Sequence, residues 1–174
     1  MIAGALVDLR PLQAGDVEHY ERTANDPAYQ GPYGTFALEA AGDARRRFEQ
    51  DGYLSHQHGR LVVVDKADVT IGGVSYIAVF HGPPPSNLVY NIGVEIGPAK
   101  RRQGYGSEAQ SLLARYLLDT YTIERVEAST DLENLPEQRA LERAGFTREG
   151  VLRRAQWRGG GWRDVVLYSK LRGE

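Results

Sequence analysis

The stretch from Val89 to Gly106, VYNIGVEIGPAKRRQGYG, constrains this chain more than any other. It reads as a strand, a turn, a basic tripeptide and two glycines spaced G-x-G. Ala109, Leu112, Leu113, Tyr116 and Leu117 then recur at the spacings of one helical face, so the glycines are delivered to a helix N-terminus. The first amides of a helix have no intrahelical acceptor and lie at the positive end of its dipole, which makes an anion site. Arg101 and Arg102 add full charge beside it. The segment therefore predicts a phosphate-bearing ligand, most simply a pyrophosphate. A plain glycine turn flanked by a solvated basic bend is the alternative.

A chain of 174 residues is long enough for one sizeable core and short for two, so residues 1–174 are expected to form a single domain. The formal net charge of -2 gives no global pull toward nucleic acid or an anionic membrane, and neither is expected as a partner. Cysteine is absent, which excludes disulfides, thiolate metal ligands and a cysteine nucleophile. His19, His56, His58 and His81 show no metal-ligand spacing, so no metal is expected. No apolar run approaches the roughly 20 residues of a membrane helix. Ile2–Val7 is too short for a signal sequence and lacks a basic flank, so a cytoplasmic location is the expectation.

In chain order, Leu6–Leu12 reads as a strand, and a helix opens at Gly15-Asp16 with Asp16 as its cap. Asp26–Thr35, dense in Pro and Gly, reads as an ordered loop, and a second helix is expected from Leu38 to Gln50. Arg60–Asp65 and Val69–Phe80 form a hairpin. Val62–Val64 is continuously apolar and is expected to be buried on both faces. After the central stretch come a strand at Arg125–Thr130, a helix at Leu135–Ala144 stopped by Gly145, and a hairpin of Thr147–Trp157 with Arg163–Lys170. The order β-αα-ββ-β-α-β-α-ββ predicts a mixed α/β sheet with helices on both faces.

Two ligands compete for the central loop. Gly104-Tyr105-Gly106-Ser107-Glu108-Ala109 fits G-x-G-x-x-A, a dinucleotide fingerprint, with Asp131 available as a ribose-binding acid. That fingerprint needs its first glycine directly after the strand, and here about eight residues, including Pro98, separate Ile96 from Gly104. The triphosphate loop G-x-x-x-x-G-K is absent. Pro98–Gly106 instead resembles the acyl-CoA pyrophosphate loop of the GNAT superfamily of N-acetyltransferases, through Arg101, Gly104 and Gly106. Asn134 followed by Arg139–Phe146 resembles that family's asparagine-helix-glycine-phenylalanine segment. Arg163–Tyr168 resembles the last strand of its ribosomal-protein N-terminal acetyltransferase (Rim-type) subgroup.

The resemblance implies a single-domain, mostly antiparallel mixed sheet with a central splay, and transfer of an acetyl group from acetyl-CoA to a primary amine. The acceptor is then a protein N-terminus or a small molecule. It implies CoA contacts from Ile96, Arg101, Arg102, Gln103, Gly104, Tyr105, Gly106, Ser107 and Asn134. An ammonium cannot attack a thioester. Its deprotonation at pH 7 costs roughly 4–5 kcal/mol for a lysine and about 1 for an α-amine. Glu95 is the candidate base, with Asn91 and Gly93 on one strand face and Tyr90, Ile92, Val94 and Ile96 on the other; a plain edge carboxylate is the alternative.

The usual proton donors of the family, a serine three or a tyrosine seven residues after the asparagine, are here Glu137 and Leu141. Asn134-x-x-Glu137 reads as a capping box, with the helix N-terminus favouring the glutamate's charged form. Lacking both donors, the chain also admits a CoA-binding module without chemistry. Tyr29, Tyr33 and Phe36 are candidates to line the acceptor site, or else pack their loop on the core. Trp157 and Trp162 are expected to pack across their hairpin or across the seam of a homodimer.

Overall fold

Residues His58–Asp65 decide the layering. Leu61 and Val63 bury into one hydrophobic cluster, while Val62 and Val64 bury into another, so this strand is covered on both faces. That is the arrangement the continuous apolar run predicts. The computed structural model describes residues 1–34 and 36–174. Its strands are β1 (Ile2–Ala3), β2 (Val7–Pro11), β3 (His58–Asp65), β4 (Thr70–Phe80), β5 (Leu88–Ile96), β6 (Arg125–Asp131), β7 (Thr147–Arg158) and β8 (Gly161–Leu171). They make one mixed sheet in the order β1-β2-β3-β4-β5-β6-β8-β7. Among the described residues every junction is antiparallel except β5–β6.

Helices α1 (Ala14–Ala24), α2 (Pro27–Gln30) and α3 (Asp43–Asp51) precede β3, while α4 (Tyr105–Thr120) and α5 (Leu135–Arg143) flank β6 in sequence. On one face Val17 and Ala44, from α1 and α3, pack with Tyr53, Val62 and Val64. On the other, Leu112, Leu113 and Leu117 of α4 and Leu141 of α5 pack with Val7, Leu9, Leu61, Val63 and Ile92. The helical face read from the sequence is thus the buried one. No helix of the described chain is long and apolar enough to cross a membrane.

Several boundaries move for local reasons. Helix α1 begins at Ala14 because Gln13 takes the cap position; Asp16 sits in the first turn, where its carboxylate accepts the Gln13 amide at 2.8 Å and Arg10 at 2.6 Å. Within the expected loop from Asp26, Pro27–Gln30 winds a single turn because the Asp26 side chain accepts the Ala28 amide at 2.9 Å. Thr35, the end of that loop, lies outside the described residues. Helix α3 starts at Asp43 rather than Leu38, because Gly42 takes a left-handed φ of +76° and Leu38 is left 85% exposed. The two-residue β1 was too short to carry a sequence signal. Trp157 and Trp162 meet edge to face across the β7–β8 hairpin, ring centroids 5.5 Å apart.

One side chain ties the N-terminal segment to α4. The Glu108 carboxylate accepts the amides of Ala5, Leu6 and Val7, each at 2.7 Å. Bonds to an ionised acceptor are the strong ones, and they fix the first turn of α4 against the start of β2. Replacing Glu108 by Ala strands these donors and is expected to destabilise the protein by about 2 kcal/mol, read as a lower urea midpoint. An unchanged midpoint would show that water satisfies all three amides.

Candidate active site

The centre of the sheet comes apart along its parallel junction, β5–β6. β5 and β6 pair only at Tyr90↔Val126, Asn91↔Glu127 and Ile92↔Ala128. Beyond that point β5 stays on β4 to Gly72↔Ile96, and β6 stays on β8 to Asp131↔Val165. Residues 93–96 and 129–131 therefore line a gap whose lips carry backbone groups suited to an extended ligand. This is the splay the family resemblance implies.

At the end of β5 the chain turns through a 3₁₀ turn, Pro98–Lys100, and reaches α4 through Arg102, at φ +63°, and Gly104, at φ +88°. Left-handed backbone is readily supplied by glycine, and Gly104 is the cap residue of α4. Among the described residues, no backbone acceptor takes the amides of residues 102–107, and the first amide of the helix to be bonded is that of Glu108, to Gly104. These amides form the anion cradle. Gly106 seats the helix on β5: a Cβ there would lie 3.6 Å from Ile96 Cγ1.

The flanking cations divide their tasks. Arg101 does not present a spare guanidinium: its Nε donates to the Ile96 carbonyl at 2.8 Å and its Nη2 to the Tyr29 carbonyl, strapping α2 to the end of β5. Arg102 is exposed and extends beside the cradle. The Gln103 side-chain Nε2 donates to the Ala99 carbonyl at 3.3 Å, and Tyr105 packs against the core. Ser107 is buried and its hydroxyl accepts from Arg143 Nε at 3.3 Å. Asn134 caps α5: its Oδ1 accepts the Glu137 amide at 3.4 Å and its Nδ2 donates to Thr130 Oγ1 at 3.0 Å.

Glu95 lies on the opposite face of β5 from Val94 and Ile96, beneath α1. Its carboxylate accepts from Arg60 at 3.3 Å, and the Arg60 guanidinium stacks 3.9 Å from the centroid of Tyr20. Gly72 lets the strands approach here, since a Cβ would fall 2.0 Å from the Glu95 carbonyl oxygen. Glu95 borders two cavities. One, of about 20 Å³, has room for about one water beside Tyr29, Arg60 and Glu95. The other, of about 170 Å³, is lined by Tyr20, Phe36, Leu38, Glu39 and Glu95, among others.

The three loop aromatics thus separate. Tyr29 borders the smaller cavity, with burial pushing its hydroxyl pKa up, and Phe36 borders the larger. Tyr33 borders neither: its hydroxyl donates to the Glu133 carbonyl at 3.1 Å and its ring lies under Arg158, 5.2 Å from the centroid. Arg158 also bonds the Pro32 carbonyl and the buried Asp131 carboxylate, clamping the loop to the end of β6. Asp131 is therefore committed, and the ribose-binding role of the dinucleotide alternative has no free carboxylate there. Sequence reasoning missed Arg60, Glu39 and Arg158; no local pattern marks them.

Glu137 departs from expectation. Its amide is capped by Asn134, but its side chain does not return to the Asn134 amide, which is bonded to the Asp131 carbonyl instead. The carboxyl turns inward between α5 and α4. Burial pushes its pKa up to about 7, and a hydrogen bond with Gln110 pulls the other way. Desolvation outweighs the helix dipole, so the expected preference for the charged form is reversed.

A model of the acetyltransferase (GNAT) domain matches residues 7–147, and the chain belongs to that family. It is 27% identical to the uncharacterized N-acetyltransferase YnaD of Bacillus subtilis over 65% of its own length and 64% of YnaD. The chain thus spans just under two thirds of that relative. It is 25% identical to the ribosomal-protein-serine acetyltransferase of Escherichia coli over 72% of this chain and 69% of that one. Spermidine N-acetyltransferase from Vibrio cholerae, solved with CoA and spermine, shares the fold at a TM-score of 0.80 and 19% identity, covering 95% of each chain.

The Glu137 environment has a linkage consequence. A folded pKa of about 7, above the ordinary 4.5, gives a contribution fully present below about pH 4.5 and lost as pH rises through about 7. Glu137→Gln should therefore match the wild type at pH 4.5 and exceed it at pH 8.5 by about 2 kcal/mol in urea unfolding. Equal stability at both pH values would place the carboxyl in water.

Proposed function

We propose that this chain transfers the acetyl group of acetyl-CoA to a primary amine. The observation that carries the reading is the opening of the β5–β6 ladder beside a glycine-turned helix start, with Glu95 on the far side of the gap. The amides of residues 102–107 hold the pyrophosphate, with Arg102 adding charge. Asn134 orders the opposite lip, and the free edge of residues 93–96 bonds the extended pantetheine arm. The acetyl carbonyl then lies in the gap. Ile96, Gln103, Tyr105 and Ser107 shape the cradle from behind, and Arg101 holds it to α2.

The acceptor enters from the α1–α2 side, through the cavity of about 170 Å³. Among the described residues its lining offers two carboxylates, Glu39 and Glu95, and no cationic side chain, which suits an ammonium with an apolar body. The two relatives are named for a ribosomal-protein serine and for spermidine, and spermidine carries primary amines. Glu95 takes the proton the ammonium must lose, and the amine nitrogen attacks the carbonyl carbon directly. The C–S bond breaks as the amide forms.

The test is thiol release from acetyl-CoA with phenethylamine, spermidine and a Ser-Ala dipeptide amide as acceptor probes. Acceptor-dependent release is expected, and acetyl-CoA should raise the melting temperature whereas NAD should not. Glu95→Gln should lower kcat by about 10²-fold while keeping the acetyl-CoA shift. Stabilisation by acetyl-CoA without release in any arm would reduce the protein to a CoA-binding module.

A further inference from the structure

A carboxylate that takes a proton from a bound ammonium needs one oxygen held and the other left for the acceptor. The β3–β4–β5 register supplies that division. Arg60 on β3 stands opposite Ser75 on β4, and Gly73, two residues back along β4, stands opposite Glu95 on β5. Strand alternation puts Arg60, Gly73 and Glu95 on one face of the sheet. Gly73 has no side chain, so Arg60 crosses it: a Cβ there would lie 3.2 Å from Arg60 Nη2 and 3.3 Å from its Nε. Beyond Gly73, Arg60 Nη2 donates to Glu95 Oε2 at 3.3 Å. Among the described residues Glu95 Oε1 takes no hydrogen bond.

The plane of the guanidinium is set from behind. Arg60 Cζ lies 3.9 Å from the centroid of Tyr20 on α1, and Tyr20 meets the buried Tyr53 edge to face at 6.0 Å. Contacts therefore run from the α1–α3 core through two rings to one carboxylate oxygen. Only 17% of the Arg60 side chain and 21% of the Glu95 side chain stay exposed, so little water competes for the bond, as it would for a surface pair. The other acid beside Arg60 in the small cavity, Asp16, is held by Arg10 at 2.6 Å. Arginine keeps its proton in proteins, so Arg60 fixes Glu95 without exchanging a proton with it.

We propose that Arg60 is a positioning residue for the transfer: by holding Oε2 of Glu95 it keeps Oε1 turned to the acceptor amine. The inference rests on the transfer reading above, in which Glu95 is the base. Arg60 borders the cavity of about 20 Å³ but is not among the described residues lining the one of about 170 Å³, where the acceptor enters. It therefore acts through Glu95 and touches neither acceptor nor acetyl-CoA. The proton of the ammonium goes to Glu95, and no bond is made or broken at Arg60. Aim matters because a displacement of about 1 Å in a reacting group costs up to about 10²-fold in rate. Tyr20 and Gly73 serve the same end, one by stacking the guanidinium and the other by leaving its path open.

The experiment measures kcat and KM for the wild type, Arg60→Gln, Glu95→Gln and the double variant, with whichever of phenethylamine, spermidine or the dipeptide amide is turned over fastest. Arg60→Gln should lower kcat about tenfold, with KM for acetyl-CoA within about twofold and the acetyl-CoA melting shift retained. Added to Glu95→Gln it should cost nothing further, because no carboxylate is left to aim. A merely structural role would lower kcat by the same factor in both backgrounds. Should Arg60→Gln fail to fold, Arg60→Ala is assayed with added guanidinium chloride. Part of kcat should then return, while sodium chloride at the same concentration restores none; in that case no return overturns the role. Wild-type kcat in Arg60→Gln, or equal losses in the two backgrounds, overturns the role of Arg60 and leaves the transfer reading intact. Wild-type kcat in Glu95→Gln removes the base and the positioning together. A wild type that binds acetyl-CoA and releases no thiol with any probe overturns both this role and the transfer reading.

Discussion

The rest of this structure depends on a ladder that stops. β5 and β6 exchange backbone bonds for three residue pairs and then part, each kept straight by its other neighbour, β4 or β8. Parallel strands offer evenly spaced bonds, and nothing in the backbone alone requires them to end after Ile92. What holds them apart is loaded on the two lips. Gly106 and the start of α4 sit on Val94 and Ile96, while Asn134 and the start of α5 are bonded to Thr130. Two helix N-termini therefore point at one opening, and the polar backbone exposed there is left for a ligand.

Around that opening the charges are divided by face. On the acceptor side Arg60 holds Glu95 and is itself stacked on Tyr20, so the carboxylate is oriented by a group anchored in the α1 layer. Arg158 ties the Pro32–Tyr33 segment to Asp131, and Arg101 ties Tyr29 to Ile96. The Tyr29–Tyr33 part of the loop beside the acceptor cavity is thereby held by two arginines. On the other side the half-buried Glu137 carboxyl is turned against Gln110. Withdrawal from water is what pushes the Glu137 carboxyl up to about 7.

What the sequence makes legible is set by the range of each interaction. The helical face of α4 and the two-faced burial of β3 were legible because each rests on a period within one element, enforced by the core on either side. Gly104 and Gly106 were legible because a turn into a helix has few chemical solutions. The bonds of the Arg101 side chain were not legible, because its partners, Ile96 and Tyr29, come from two separate segments. Glu137 was misjudged because the helix dipole is a local effect, readable from the N-terminal position, and burial against α4 is not.

The sequence by itself determined the alternation of strands and helices, the glycine-turned start of α4, and the face of β5 on which Glu95 stands. These follow from backbone sterics and side-chain periodicity, which act over a few residues. Only the tertiary structure decided that the parallel ladder opens after Ile92, that Arg60 reaches Glu95 across 35 positions of chain, and that Glu137 is partly withdrawn from water against Gln110 of α4. Desolvation and long-range pairing depend on which elements pack together, and that information belongs to no single segment.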